Sequence, residues 1–142
     1  MDNVTELNAN QKNVSEASNS ILIIDDEKSS INVLAHILRQ NHTIYTARDG
    51  KTGLEIANEF LPDIILLDII MPEMDGYKVL SELKSSPKTR HIPVIFVTGL
   101  DSSENIKNDI ASETADCIYK PFNAADVKEK VDKQIQIIRN RM

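Results

Sequence analysis

Five short apolar runs alternate with helical patterns along the chain, and this alternation constrains the fold more than any other feature. The runs have strand length and end near turn or polar residues; they cover residues 21–25, 43–47, 63–68, 93–97 and 115–119. Helical patterns fill the intervals 29–40, 51–60, 75–85 and 124–140. The second of these follows Asp49-Gly50, a turn and cap signal. Asp101 and Glu104 resemble a capping box that opens a further helix. The pattern predicts an α/β fold with a parallel five-stranded sheet and helices on both faces, because right-handed crossovers allow little else.

Length and composition restrict the class of protein. A chain of 142 residues is expected to form one domain with a substantial core. Residues 1–19 are rich in Asn, Ser, Glu and Gln and predict a flexible polar tail, which leaves residues 20–142 for the domain. A net charge of −6 disfavours direct nucleic-acid binding, which needs a basic face.

Cellular setting follows from what the sequence lacks. Cys117 is the one cysteine, so an intramolecular disulfide is excluded and a cysteine-based zinc site is not expected. The sequence has no apolar run of about 18 residues, the length of a membrane span. Its first residues lack the basic start and apolar stretch of a secretory signal. We therefore expect a cytoplasmic protein without membrane contact.

Polar side chains stand where four of the predicted strands end. Asp25 and Asp26 follow the first strand, Asp68 closes the third, Thr98 follows the fourth and Lys120 follows the fifth. In a doubly wound sheet of order 2-1-3-4-5, the first and third strands are neighbours at the topological switch point, where ligands bind. These side chains are therefore expected to surround one crevice.

The chemistry of these residue types indicates a metal-assisted phosphoryl transfer. Three crowded carboxylates would repel one another, and a divalent cation relieves that repulsion. Oxygen ligands on short loops suit Mg²⁺, with Mn²⁺ as an alternative; calcium fits less well because no dense acidic loop is present. Lys120 and Thr98 can stabilise the charge of a phosphoryl group, and Asp68 can act as its nucleophile.

Four motifs give the chain a specific resemblance. They are I-D-D-E at 24–27, L-L-D-I-I-M-P-E-M-D-G at 66–76, P-V-I-F-V-T-G at 93–99, and K-P-F at 120–122. With these motifs, residues 21–140 resemble the receiver domain of two-component response regulators, of the chemotaxis-regulator type. The resemblance implies a flavodoxin-like (βα)5 fold and a domain that catalyses only its own phosphorylation and dephosphorylation.

The resemblance also assigns roles to individual residues. It implies that Asp68 accepts a phosphoryl group from a phosphohistidine on a sensor histidine kinase or phosphotransfer protein. Mg²⁺ would be held by Asp26, Asp68 and the backbone carbonyl of Ile70, with Asp25 acting mostly through water. Thr98 and Lys120 would contact the phosphoryl oxygens. Pro121 would fix the loop after Lys120, in this family often through a cis Lys-Pro bond.

The switch segment departs from the family pattern. Receivers usually carry an aromatic residue three positions before the conserved lysine, and Cys117 occupies that position here. Tyr119 lies on the same predicted face, because side chains alternate along a strand, and is the candidate substitute for the coupling to Thr98. The basic residues of the last helix are interpreted as a solvated face.

Two other functions compete with the receiver interpretation. A phosphatase of the haloacid-dehalogenase type needs a second acid two residues after its nucleophile, where this chain has Ile70. A pseudo-receiver that binds partners without phosphorylation is favoured by the altered switch segment and disfavoured by the complete acidic set. Ile70 and Leu100 are both apolar and cannot orient an attacking water, so we expect slow self-dephosphorylation.

The sequence indicates a surface for partners without naming them. The predicted fourth helix has few apolar anchors, so the face formed by this helix, the fifth strand and the fifth helix is the expected site for a homodimer or an output domain. We expect either a stand-alone receiver or the amino-terminal part of a longer regulator.

Overall fold

The core of the protein is one five-stranded parallel sheet, as the alternating pattern predicted. The structure is a computed structural model that describes residues 19–99 and 114–141. The strands follow the spatial order β2-β1-β3-β4-β5, and every neighbouring pair is parallel. The predicted order 2-1-3-4-5 is therefore confirmed, and β1 and β3 are neighbours at the switch point.

The described residues form five strands and four helices. In chain order they are β1 (Asn19–Ile24), α1 (Lys28–Leu38), β2 (His42–Ala47), α2 (Gly50–Phe60), β3 (Ile64–Asp68), α3 (Gly76–Ser85), β4 (Val94–Thr98), β5 (Asp116–Tyr119) and α4 (Ala124–Arg141). The last of these, α4, is the fifth helix of the sequence prediction. The predicted helix that Asp101 would open lies outside the described residues. None of the described helices is both long and apolar enough to cross a membrane.

The helices bury two separate apolar cores, one on each face of the sheet. The helices α2 and α3 cover one face, where Leu67 of β3 and Phe96 of β4 are fully buried. The helices α1 and α4 cover the other face, where Leu66 and Val97 are fully buried. All residues of β3 and β4 are buried, because helices cover both of their sides.

Side-chain caps fix the start of two helices where the sequence placed turn residues. Asp49 Oδ1 accepts a hydrogen bond from Thr52 N–H at 2.7 Å, which confirms the predicted cap of α2. Asp75 Oδ1 accepts from Lys78 N–H at 3.0 Å, so Asp75 is the cap of α3 and not its first helical residue, as the prediction 75–85 had it.

The first strand begins earlier than the sequence suggested. Apolar residues start at Ile21, yet β1 includes Asn19, which the prediction placed in the polar tail. The reason is a side-chain contact: Asp63 Oδ2 accepts hydrogen bonds from Ser20 N–H at 2.8 Å and from Asn19 Nδ2 at 3.5 Å. Polar residues thus extend the strand by two positions.

Gly76 lets the chain return to the end of β3. A Cβ atom at this position would lie 2.4 Å from the backbone oxygen of Asp68 and 2.7 Å from Ile69 Cα. Gly76 N–H also donates to Ile69 O at 2.7 Å. A side chain at Gly76 would therefore displace the backbone that carries Asp68.

We expect Gly76→Ala to lower the free energy of unfolding by about 1–3 kcal/mol, because the added methyl group has no space beside rigid backbone. Gly99→Ala is the matched control, since its Cβ would lie 3.7 Å from the nearest atom, Lys120 Cδ, an ordinary contact. Urea unfolding of both variants measures the difference. Equal midpoints for the two variants would show that the loop accommodates the added methyl group with no loss of stability.

Candidate functional site

Three carboxylates meet at the carboxyl edge of the sheet. Asp25 and Asp26 follow β1, Asp68 ends β3, and one oxygen from each lies within 4.8 Å of the others. Asp25 and Asp68 are buried, with 1% and 5% of their surface exposed, and Asp26 is half-buried. The arrangement that the strand order predicted is present.

The acidic cluster concentrates more negative charge than its own contacts neutralise. Burial, and then the charge of Asp25, raise the pKa of Asp68 to about 7. Asp25 Oδ1 accepts from Glu27 N–H at 2.9 Å, whereas Asp25 Oδ2 is buried without a hydrogen-bond partner in the described part of the chain. A buried carboxylate oxygen that accepts no hydrogen bond within the described residues, in an oxygen-only donor set, fits a hard divalent cation such as Mg²⁺.

Lys120 brings the balancing positive charge to this cluster. It follows β5, and its Nζ lies 3.3 Å from Asp25 Oδ2 and 3.9 Å from Asp68 Oδ2. Burial alone would lower the pKa of Lys120, but a hydrogen bond to Glu27 and the charges of Asp68 and Asp25 outweigh it and raise the pKa. The ammonium therefore stays charged. The Lys120–Pro121 peptide bond is cis, the form that the resemblance implied.

Glu27 belongs to the site, although the sequence interpretation gave it no role. Its Oε1 accepts from Lys120 Nζ at 2.7 Å, the shortest contact that this ammonium makes with a carboxylate. The same hydrogen bond holds the pKa of Glu27 below its usual value. Glu27 stands in the I-D-D-E motif, so its acidity was visible, but its pairing with a residue 93 positions away needed the fold.

Thr98 and Ile70 line the crevice above the acidic cluster. The crevice has a volume of about 380 Å³, and its wall also includes Asp68 and Lys120. Thr98 is 1% exposed at the end of β4, and its carbonyl accepts Lys120 N–H at 2.8 Å, which fixes the two strand ends together. The side chain of Ile70 is 57% exposed, so an apolar surface borders the opening.

A larger groove of about 570 Å³ lies at the opposite, amino-terminal edge of the sheet. Its wall includes His42 at the start of β2 and Asp132 of α4. Asp132 is the single carboxylate among its lining residues, so this groove lacks the acidic cluster of the carboxyl edge.

The switch candidates Cys117 and Tyr119 pack on the same face of β5, which confirms the predicted alternation. Cys117 is buried and Tyr119 is half-buried. Burial and then the neighbouring Cys117 thiol raise the pKa of the Tyr119 hydroxyl. Tyr119 pairs in register with Thr98 on β4, so the two residues are strand neighbours. Their coupling on phosphorylation remains a prediction.

Lys130 is an exception to the solvated face predicted for the last helix. Its Nζ donates to Cys117 O at 2.6 Å and lies 5.8 Å from the centre of the Tyr119 ring. Because β5 stands last in the strand order, this contact ties its backbone to α4. Periodicity could not separate Lys130 from the solvated lysines of α4, since the contact depends on how α4 lies across β5.

We expect Lys130→Met to lower the free energy of unfolding by about 1–2 kcal/mol, because it removes a charged hydrogen bond to a backbone carbonyl and keeps the length of the side chain. Lys133→Met, at an exposed position of the same helix, is the control and is expected to change little. Thermal unfolding of both variants tests the difference. Equal stability would mean that water replaces the Lys130 contact without loss.

Comparison with known proteins identifies the family of the chain. The family model described as the response regulator receiver domain matches residues 21–132. A probable cyclic di-GMP phosphodiesterase of Vibrio cholerae is 38% identical over 122 residues, which cover 86% of this chain and 28% of that protein. The response regulator PleD of Caulobacter vibrioides is 41% identical over 104 residues, which cover 72% of this chain and 23% of PleD. The chain thus spans about a quarter of the length of these relatives.

Solved structures of receiver proteins are also similar to this chain. The amino-terminal domain of a response regulator receiver protein from Methanoculleus marisnigri is 34% identical with a TM-score of 0.69; the match covers 81% of this chain and 94% of that one. A response regulator receiver domain protein from Clostridium thermocellum is 27% identical with a TM-score of 0.79, covering 87% and 99%. With the strand order and the acidic crevice described above, these matches show that the chain belongs to the response regulator receiver domain family.

Proposed function

We propose that Asp68 is the phosphoryl acceptor of this receiver domain and that its donor is a phosphohistidine of a sensor kinase or phosphotransfer protein. The observation that carries the proposal is the placement of Asp68: a buried carboxylate at a crevice floor, with Lys120 Nζ 3.9 Å away and two further carboxylates beside it. Such a cradle suits transfer of a phosphoryl group, in which charge spreads over the phosphoryl oxygens.

Each residue then has a defined part in the transfer. An ionised oxygen of Asp68 forms a bond to phosphorus while the bond between phosphorus and the histidine nitrogen breaks. Lys120 approaches the oxygens of the incoming group and offsets their charge. Thr98, at the end of the neighbouring strand β4, contacts a phosphoryl oxygen. The leaving imidazole keeps the electron pair and takes its proton from solvent.

Asp25, Asp26, Asp68 and the backbone carbonyl of Ile70 are the groups proposed to hold Mg²⁺, or Mn²⁺ in its place. The support is the oxygen-only donor set and the buried Oδ2 of Asp25, which lies 3.3 Å from Lys120 Nζ and accepts no hydrogen bond within the described residues. When bound, the cation supplies positive charge that offsets both the carboxylates and the transferring oxygens.

Incubation with acetyl phosphate and Mg²⁺, followed by intact mass measurement, tests the proposal. A stable gain of one phosphoryl group supports it. Turnover of acetyl phosphate without accumulation on the protein would instead indicate a phosphatase of the haloacid-dehalogenase type, and no reaction would indicate a pseudo-receiver.

The two alternatives have less support than the receiver proposal. The phosphatase needs an acid two residues after the nucleophile, and that position holds the exposed, apolar Ile70. The pseudo-receiver would have no use for a complete acidic cluster with a charged lysine beside it. We infer that the domain catalyses only its own phosphorylation and dephosphorylation.

Slow self-dephosphorylation is expected, because Ile70 at the mouth of the crevice cannot bind a water molecule in line with the phosphoryl group. Ile70→Asn should shorten the lifetime of the phosphorylated protein by about tenfold, since an amide can orient the attacking water. Decay of the phosphorylated mass after removal of acetyl phosphate measures both proteins. A parent lifetime of only seconds at neutral pH with Mg²⁺ would contradict the expectation. Leu100, the second apolar position, lies outside the described residues.

The proposed partner surface includes β5 and α4. Lys130 Nζ binds the backbone carbonyl of Cys117 in β5, so a homodimer or output domain on this face is expected to contact side chains and not to extend the sheet. Comparing the oligomeric state with and without beryllofluoride, a phosphoryl mimic, tests whether this surface responds to phosphorylation.

A further inference from the structure

We infer that Glu27 is a positioning residue for Lys120: it holds the ammonium in a resting place from which phosphorylation of Asp68 must draw it away. This inference rests on the proposed function of Asp68. Glu27 is the nearest of three carboxylates to Lys120 Nζ. The distances are 2.7 Å to Glu27 Oε1, 3.3 Å to Asp25 Oδ2 and 3.9 Å to Asp68 Oδ2.

The backbone around Glu27 leaves its carboxylate available for this contact. Glu27 is the residue that precedes α1, in extended conformation, but its side chain makes no capping hydrogen bond. Instead Glu27 Oε1 accepts from Ser30 Oγ at 3.2 Å as well as from Lys120 Nζ. Ser30 is buried, so it fixes the direction in which the carboxylate points.

The exposure of the two partners makes the contact reversible. The Glu27 side chain is 57% exposed and that of Lys120 is 19% exposed, so the pair lies at the rim of the crevice. Ion pairs at such positions contribute little free energy. The phosphoryl group on Asp68 presents a larger charge deeper in the crevice, and the flexible stem of Lys120 lets its ammonium turn to it.

Two substitutions separate the contact from the charge of Glu27. Glu27→Gln removes the charge, whereas Glu27→Asp keeps the charge and shortens the side chain by one methylene, which withdraws the carboxylate from Lys120. If Glu27 acts by holding Lys120, both variants release the ammonium toward Asp68. If only net charge matters, Glu27→Asp behaves like the parent protein.

The experiment measures the second-order rate constant for phosphorylation of the full chain by acetyl phosphate with saturating Mg²⁺. We expect both variants to react about 1.5-fold to fivefold faster, the range that corresponds to losing an exposed ion pair. A second readout is the nitrogen resonance of the Lys120 ammonium in the unphosphorylated proteins. It should move in both variants toward its position in the beryllofluoride-bound parent.

Three results would overturn this role of Glu27. An unchanged rate and an unmoved Lys120 resonance in both variants overturn it, and so does a slower reaction, which would mean that Glu27 aids the transfer directly. A parent-like Glu27→Asp beside a faster Glu27→Gln also overturns it in favour of charge alone. If the parent protein gains no phosphoryl group at all, the proposed function itself fails, which is a different result.

Discussion

Asp68→Asn is expected to abolish phosphorylation, to below about one thousandth of the parent rate, because an amide oxygen is a poor nucleophile and cannot form the acyl phosphate. The substitution changes few atoms and keeps the size of the side chain. Its effect should therefore appear in the reaction with acetyl phosphate and not in the fold. Intact mass after incubation with acetyl phosphate and Mg²⁺ gives the answer directly.

Asp75→Asn is the matched control for this experiment. It removes one negative charge from the loop that follows β3, as Asp68→Asn does from the strand end. Asparagine also caps helices well, so α3 should keep its first hydrogen bond. We expect this variant to be phosphorylated like the parent protein.

A phosphoryl group on the Asp68→Asn protein would overturn the assignment. Peptide mapping would then locate the acceptor, and Asp25 would be the first candidate, because its Oδ2 is buried beside Lys120. Retained reactivity of this kind would leave the family assignment in place and move the acceptor by one strand.

Much of the fold was predictable from the spacing of apolar residues, because strands and helices give two different patterns in the chain. Continuous apolar runs such as residues 63–68 indicate strands buried on both sides, and three- and four-residue spacing indicates the helices between them. Once the strands were parallel, their carboxyl ends had to share an edge. Asp25, Asp68 and Lys120 were therefore predicted to surround one crevice at that edge.

The features that the sequence did not reveal depend on side-chain reach between elements. The Glu27–Lys120 ion pair and the Lys130–Cys117 hydrogen bond each join residues whose types are ordinary for surface positions. Nothing in their spacing distinguishes them from solvated side chains. The early start of β1 had the same origin, because the carboxylate of Asp63, just before β3, accepts a hydrogen bond from Ser20 N–H.

The acidic cluster also makes the free energy of unfolding depend on pH. Burial and the charge of Asp25 raise the pKa of Asp68 from 3.8 to about 7 in the metal-free protein. Between these values the folded protein holds a proton that the unfolded chain releases. The stability that this proton contributes is complete below about pH 4 and is lost as the pH rises to about 7.

Asp68→Asn removes this titration. The variant should therefore exceed the parent in free energy of unfolding by an amount that grows from pH 4 to pH 7 and then stays constant, on the order of 4 kcal/mol. His42, whose pKa is lowered by burial, titrates in both proteins and cancels in the difference. Glu59→Gln, at an exposed position of α2, is the control. Its free energy of unfolding should change with pH in the same way as that of the parent.

Mg²⁺ should narrow the difference in stability between the two proteins. A cation held by the carboxylates of the folded protein alone raises the free energy of unfolding, by about 2.7 kcal/mol at a concentration one hundred times its dissociation constant. Asp68→Asn lacks one of the proposed ligands, so its gain should be smaller. Urea unfolding at pH 5 and pH 8, with EDTA or Mg²⁺, measures all four conditions.

Parallel pH curves for parent and variant in EDTA would show that Asp68 does not repel its neighbours. An equal gain from Mg²⁺ in both proteins would place the cation elsewhere. The two results are independent, so electrostatic strain at the acidic cluster and cation binding by Asp68 can each be rejected separately.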